Sequence, residues 1–256
     1  MTTPSDRPVG RVRLEFVDLH GAWEKHAEAF IAWAQKPNHD SYWRYHRDQF
    51  LELVPPAGRR TLDVGCGEGR LSRDLKALGH HLVGIDASAT MIAAAREADD
   101  AIETHLADAA ALPFADGSFD LVVAFMSLQD VDDFEGATRE AARVLEQGGR
   151  FCLAIVHPVN SAGRFERDDA DSPFTIAGSY LDASYYADNV VRDGLEIEFV
   201  SAHRPIQAYT AAAIADAGLL IECLRETDVP EGAVLRPHER RWHRLPLFLH
   251  MRALKP

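Results

Sequence analysis

Three carboxylates and three glycines give the first chemical signal in this 256-residue sequence. Asp63 stands two residues ahead of Gly65, Gly67 and Gly69, which form a G-x-G-x-G run, and Asp86 follows Gly65 by 21 residues. Asp108 closes the set in the segment Ala107-Asp108-Ala109. Alternating glycines let backbone approach a ligand closely and accept positive φ where a turn needs it. A helix starting at such a loop adds free N–H groups at its N-terminus. A dinucleotide fingerprint reads G-x-G-x-x-G and cradles a pyrophosphate. Here the spacing differs, and the acid at position 63 suits a ligand carrying an ammonium and would repel a phosphate. Asp86 ends an apolar run, where a carboxylate accepts both hydroxyls of an adenosine ribose and disfavours a 2′-phosphate.

The elements that must hold these groups follow from periodicity. Leu62 and Val64 lie in a short strand. Leu71, Leu75 and Leu78 then recur at helical spacing until Gly79. His81 to Asp86 reads as a second strand, and Ser88 caps a helix carrying Met91, Ile92 and Ala95. Ile102 to Leu106 is a third strand. Phe119 to Phe125 is a fourth, whose run of apolar residues implies cover on both faces. A helix from Phe134 to Leu145, the turn Gln147-Gly148-Gly149 and a strand from Arg150 to Val156 complete the series.

At this point the chain resembles the class I S-adenosylmethionine-dependent methyltransferases, in particular the small-molecule, type 11-like members. The run Leu62-Asp63-Val64-Gly65-Cys66-Gly67-Glu68-Gly69 matches their first motif, and the helix-Gly-Gly-strand arrangement matches their core. The resemblance covers about residues 59–156 strongly and the C-terminal third loosely. It implies a Rossmann-like three-layer α/β sandwich with a seven-stranded, mostly parallel sheet whose last strand is antiparallel, and S-adenosyl-L-methionine as cofactor. Asp108 would then accept from the adenine amino group, with the Ala109 N–H facing adenine too. Phe125, Met126 and Gln129 would border the sulfonium and its methyl group. Cys66, Ala87 and Met91 join the expected cofactor-binding set.

Outside this core, Met1 to Arg13 is broken by Pro4, Pro8 and Gly10 and reads as disordered. Two aromatic-rich helices, Ala22 to Gln35 and Ser41 to Val54, follow. Packing explains such helices, and in the family resembled the N-terminal segment also covers the cofactor pocket, which makes Tyr42 a candidate lining residue. The expected organisation is a tail and helical lid over residues 1–58 and a core over 59–256. Residues 159–195 form a polar and aromatic insertion too long for a plain connection, read as a substrate cover. A strand from Glu196 to Ala202, a helix from Ile206 to Ala217, and strands Leu219 to Arg225 and Leu245 to Ala253 end the chain.

Net charge is −13, which argues against nucleic acid or an anionic membrane as partner. No stretch approaches the ~20 apolar residues of a membrane span. Cys66, Cys152 and Cys223 lack metal or C-x-x-C spacing and read as buried thiols of a cytoplasmic protein, so no metal site is expected. Asp130, Asp132 and Asp133 read as acids complementing the dipole of the following helix. The expected partner is a small-molecule methyl acceptor, with the chain a monomer or homodimer. An oxygen or nitrogen acceptor calls for a base. His157 and His203, at the carboxyl edge of the sheet, are the candidates. Against them, His157 simply precedes Pro158 in a loop and His203 anchors a helix turn. The other function class is a non-catalytic S-adenosylmethionine-binding module or regulatory partner. A nicotinamide oxidoreductase would explain Asp86 but not Asp63 with its glycine spacing.

Overall fold

The computed structural model describes residues 8–176, 178–227, 229–230, 233 and 237–256. Seven strands form the central sheet, in the order β11 (Leu220–Thr227), β12 (Phe248–Leu254), β6 (Leu145–Val156), β5 (Phe119–Phe125), β2 (Thr61–Val64), β3 (Leu82–Asp86) and β4 (Glu103–Leu106). Only β12 runs antiparallel to its neighbours. Side chains alternate across each strand, so each face of the sheet acquires its own layer. Val122 and Ala124 of β5 pack with Phe134, Ala137 and Ala141 of α5 (Phe134–Val144) and with Tyr209 and Ile214 of a wide, π-helical segment, Ala208–Ala215. Leu121, Val123 and Phe125 face the other way, onto Phe50 of α2 (Arg47–Leu51) and Leu71 and Leu75 of α3 (Arg70–Ala77). The result is the expected three-layer sandwich with a mostly parallel sheet. α4 (Ala89–Ala98) follows β3, and α1 (Leu19–Gln35) lies against it.

A second sheet departs from the sequence-based expectation. β1 (Pro8–Leu14), β9 (Ser184–Arg192) and β10 (Leu195–His203) form an antiparallel trio that packs Ala187, Val200 and Ala202 onto Leu19 of α1. Residues 8–13 of the expected disordered tail are therefore an edge strand, while residues 1–7 lie outside the described residues. The insertion is likewise built: α6 (Pro158–Ala162), the hairpin of β7 (Gly163–Phe165) and β8 (Phe174–Ile176), and then β9. Asp193 and Gly194, with φ of 48° and 81°, make the two-residue turn between β9 and β10. This Asp-Gly hairpin signal stands in the sequence. The helix expected from Ser41 opens as a π-helical turn, Tyr42–His46, before α2.

Besides its ladder to β9, β1 is tied down by Arg11. Arg11 donates to both carboxylate oxygens of Asp188 at 2.9 and 2.6 Å, to the Gly163 carbonyl at 2.9 Å, and to the Asn160 carbonyl. Its guanidinium lies 4.2 Å from the centre of the Tyr186 ring. Charge-assisted bonds of this kind contribute about 2 kcal/mol when one partner is removed and the other is left covered. Arg11→Ala is expected to free β1 from β9 while the seven-stranded sheet stays intact. In hydrogen exchange, amides of residues 10–14 should lose protection and those of β5 keep it. Unchanged protection of β1 would show that Arg11 is not its anchor.

Candidate functional site

The carboxyl ends of β2, β3 and β5 open into one cleft of about 1080 Å³. Ligand sites for a single drug-sized molecule run to roughly 300–1,000 Å³, so this one has room for a nucleoside-sized group and a second molecule. The glycine loop forms its floor. Gly65 N–H and Cys66 N–H both donate to the Ile85 carbonyl at 2.8 Å, tying the loop to β3. Gly65 has φ 72°, and a Cβ there would lie 2.4 Å from Ser127 Cβ. Gly67 has φ 57°, and a Cβ there would meet only Phe30, at 3.8 Å, so this position faces open cleft. Gly69 has φ 84° and begins α3 against Arg73 and Ala95. Of the expected cofactor-binding residues, Gly69 alone is not among those lining the cleft. Its place in the motif is a backbone requirement.

Of the three carboxylates Asp63 is buried and Asp86 half-buried. Asp63 accepts from Ser72 Oγ at 2.6 Å, and burial, with Asp86 nearby, pushes its carboxyl up to about 7. No basic side chain among the described residues is bonded to it. Asp86 accepts from Gly67 N–H at 2.8 Å and from Ser88 N–H at 2.9 Å. Burial raises its pKa, and those two donors pull the other way. Each oxygen keeps a second lone-pair site for a ligand hydroxyl. Asp108 is exposed at the rim and accepts from Ala110 N–H at 2.9 Å, beside the buried Ala109. Ala87, Met91 and Cys66 complete this wall. The Cys66 thiol is held protonated by burial and by Asp86, which makes it a packing group. Gly84 makes room for that thiol, since a Cβ there would lie 2.9 Å from Sγ.

The helical segments close the cleft from above. His20 Nε2 lies 3.0 Å from the Ala87 carbonyl, and Arg70 pairs with Asp40 at 2.7 Å. Tyr42 lines the cleft with its ring, because its hydroxyl donates to Asp74 at 2.6 Å. That ring meets Phe125 edge-on at 5.5 Å. Just past β5, Met126 sits in the left-handed region with φ 57°, an uncommon state for a non-glycine residue and one that clusters at functional sites. It turns the chain so that Gln129 and Asp130 enter the cleft. An adenosyl ligand with an amino-acid tail fits these residues. Asp63 is a buried acid with no cation of its own, Asp86 is a carboxylate with open lone pairs, and Gly67 leaves space where any Cβ would stand.

The two candidate bases lie elsewhere. His157 has Nε2 at 2.9 Å from Glu226 Oε1, and its Nδ1 accepts from Val159 N–H. His203 has Nδ1 at 2.7 Å from Ser161 Oγ and Nε2 at 2.9 Å from the Tyr180 carbonyl. Both are buried, both use both ring nitrogens, and neither lines the cleft, so neither stands where it could take a proton from a molecule bound there. Sequence reasoning overlooked Asp130, which it grouped with Asp132 and Asp133 as dipole acids. Only Asp133 caps α5, accepting from Gly136 N–H at 2.7 Å. It also could not bring His46 of the π-helical turn to His250 of β12, with their Nε2 atoms 2.8 Å apart. Burial lowers the pKa of both, so the pair is neutral and structural.

Comparison with known proteins identifies the core. The family described as "Methyltransferase domain" matches residues 62–153. A demethylmenaquinone methyltransferase of Corynebacterium glutamicum is 36% identical over 115 residues, covering 45% of this chain and 48% of the relative. A 27-O-demethylrifamycin SV methyltransferase of Amycolatopsis mediterranei is 30% identical over 186 residues, 66% of this chain and 65% of the relative. The chain thus spans from about half to just under two thirds of the length of the curated relatives it matches. Among solved structures, an S-adenosylmethionine-dependent methyltransferase from Mesorhizobium loti superposes with a TM-score of 0.69 at 25% identity, covering 84% of this chain and 98% of that one.

Asp63 gives the cleft a pH dependence with a definite sign. In the ligand-free protein its carboxyl is half protonated near pH 7, whereas a ligand ammonium requires the carboxylate. Binding of S-adenosylhomocysteine is expected to tighten about tenfold between pH 6 and pH 8. Methylthioadenosine, which shares the nucleoside but lacks the ammonium, should tighten much less. Parallel titrations at the two pH values check this, and equal pH responses would remove Asp63 from the ammonium site.

Proposed function

Because this chain carries a class I S-adenosylmethionine-dependent methyltransferase domain, we propose that it transfers a methyl group from S-adenosylmethionine to an oxygen or nitrogen of a small organic molecule. The observation that carries the reading is the lining of the cleft: an acid-glycine-acid floor from the ends of β2 and β3, covered by aromatic side chains of α1, β9 and β10. The bound cofactor supplies an electrophilic methyl carbon, and the protein supplies position and electrostatics. Asp63 holds the ammonium, Asp86 the ribose hydroxyls, and Asp108 with the Ala109 N–H the adenine edge. Phe125, Met126 and Gln129 border the sulfur. Displacement at carbon is in line, so alignment of the acceptor against that border supplies much of the acceleration. Tyr42, Arg70 and Asp40 keep the helical cover on the floor and exclude water from the transfer.

A small-molecule acceptor is supported by the names of the relatives, which act on demethylmenaquinone and on 27-O-demethylrifamycin SV. The net charge of −13 speaks against a polyanionic substrate. No helix among the described residues is long and apolar enough to cross a membrane. Cys66, Cys152 and Cys223 are free, in keeping with a cytoplasmic setting.

Calorimetric titration with S-adenosylmethionine, S-adenosylhomocysteine and NADH tests the reading. Micromolar binding of the two sulfur ligands and silence from NADH are expected, and the reverse pattern would overturn it. Asp86→Ala should weaken S-adenosylhomocysteine binding about 10- to 100-fold, the worth of hydrogen bonds to a charged group. An unchanged affinity would count against the ribose assignment.

A further inference from the structure

The geometry points to Asp130 as the group that takes the proton from the methyl acceptor, and to an acceptor presenting a neutral hydroxyl on an apolar skeleton. The inference rests on the methyl-transfer reading above. Asp130 ends the single helical turn Leu128–Asp130 that follows β5, and it lines the aromatic end of the cleft with Trp23, Tyr186 and Phe199. Its Oδ2 accepts from Gln129 Nε2 at 3.1 Å. That amide is itself anchored, donating to the Met126 carbonyl at 2.6 Å, so the turn that brings Gln129 to the floor also orients Asp130. Oδ1 is shielded and no donor among the described residues meets it in hydrogen-bond geometry, while the Ser201 hydroxyl and the Trp23 indole are neighbours of the carboxyl.

The charges around this carboxyl leave it basic. Arg204, whose charge is felt at Asp130, directs its donors to the carbonyls of Leu128, Gln129, Val131 and Asp132, the closest of them at 2.9 Å. Arg11, behind the Tyr186 ring, is paired with Asp188. Tyr186 and Tyr209, the other titratable neighbours, are held as neutral phenols by burial. Desolvation therefore dominates and pushes the Asp130 carboxyl up to about 8, with Arg204, Ser201, Gln129 and Trp23 only moderating it. A carboxylate of raised basicity inside a cleft is what a general base near neutral pH requires.

In the step itself the acceptor oxygen bonds to the methyl carbon, and the carbon–sulfur bond breaks with its electron pair going to sulfur. The hydroxyl proton goes to the Asp130 carboxylate. A carboxylate and a sulfonium enter, and a carboxylic acid and a thioether leave. The burial that makes the separate charges costly thus favours the transfer, which abolishes both. The acceptor class follows from the same balance. An ammonium acceptor would sit beside the sulfonium charge, and its ion pair with Asp130 would hold the nitrogen protonated and unreactive. A hydroxyl gains nucleophilicity as its proton is drawn away, and the rings of Trp23, Phe30 and Phe199, in mutual contact at 5.4 to 6.5 Å, offer its skeleton an apolar wall.

The first test needs no acceptor. S-adenosylmethionine carries the sulfonium charge and S-adenosylhomocysteine does not, while both share every contact at Asp63 and Asp86. In the wild-type protein the affinity ratio of the first over the second should rise at least threefold between pH 6.5 and pH 9, as Asp130 ionises. Asp130→Asn should flatten that rise while binding S-adenosylhomocysteine within threefold of wild type, which also shows that the variant folds. The second test follows S-adenosylhomocysteine formation with 1-naphthol and with 1-naphthalenemethylamine, an ammonium at neutral pH. Product is expected from the naphthol, with kcat reduced about 10²- to 10⁴-fold in Asp130→Asn and partly restored in Asp130→Glu. A pH-independent ratio in the wild type, or naphthol turnover by Asp130→Asn near the wild-type rate, overturns the base. Turnover confined to the amine, or none with the naphthol, overturns the hydroxyl class. Failure of the wild type to bind either sulfur ligand would instead remove the methyl-transfer premise.

Discussion

The cleft depends on the contact between Gly65 and Ser127. β2 and β5 run parallel and leave the sheet side by side, and the chain after each must turn away without colliding. A side chain at Gly65 would overlap Ser127 Cβ, at 2.4 Å. Without one, Ser127 comes close enough for its Oγ to donate to the Val64 carbonyl at 2.6 Å. Bonds from Gly65 and Cys66 to Ile85 add the end of β3 to the same junction. Three strand ends are thereby fixed at one point, and each brings one acid to the cleft: Asp63 from β2, Asp86 from β3, Asp130 from the turn after β5. The left-handed Met126, at φ 57°, is the local strain that accompanies this convergence.

What could be read from the sequence was whatever its own neighbours determine. Asp63, Gly65, Gly67 and Asp86 announce themselves because strand, turn and helix follow one another within a few residues, and their periodicity changes where the elements do. The alternation of β5 between two layers, Val122 and Ala124 against Val123 and Phe125, is the same kind of local information. β1 was illegible for the opposite reason. Pro8 and Gly10 spoil its pattern, and it is a strand only because Leu14 pairs with Tyr185 far along the chain. His157 follows the carboxyl end of β6, as its place in the sequence implies, whereas His203 ends β10 of the second sheet. Their occupation by Glu226, Ser161 and Tyr180 is a tertiary fact that no spacing encodes. Asp130 was hidden in plain composition, one of three neighbouring acids of which Asp133 alone serves the helix.

The second sheet explains how a shared core acquires its own chamber. β9 and β10 bring Tyr186, Phe199 and Ser201 over the cleft, and α1 closes on them with Trp23 and Phe30. Neither unit could do this alone, since β1, at the start of the chain, pairs with β9 in the insertion. The N-terminal segment and the insertion are thus one layer made of two distant stretches, and Arg11 joins them by holding Asp188 and the carbonyls around α6.

That layer also sets the electrostatics. Arginines reach the cleft, but Arg70 is bound to Asp40, Arg44 to Glu239 and Arg241 to Asp168, and Arg192 donates to the His39 carbonyl; among the described residues none is bonded to Asp63 or Asp130. Both acids are pushed up by burial, to about 7 and about 8, against an unfolded value near 4. The folded protein therefore keeps protons that the unfolded chain releases above about pH 4. The stability this contributes is complete below that value and fades as pH rises towards 7 to 8. A ligand bearing an ammonium and a sulfonium reverses the balance, since it favours the ionised form of the same two groups. Pairing the acids internally with arginine would have made the empty protein more stable and the site indifferent to charge. Leaving them without an arginine partner makes the cleft complementary to a cation.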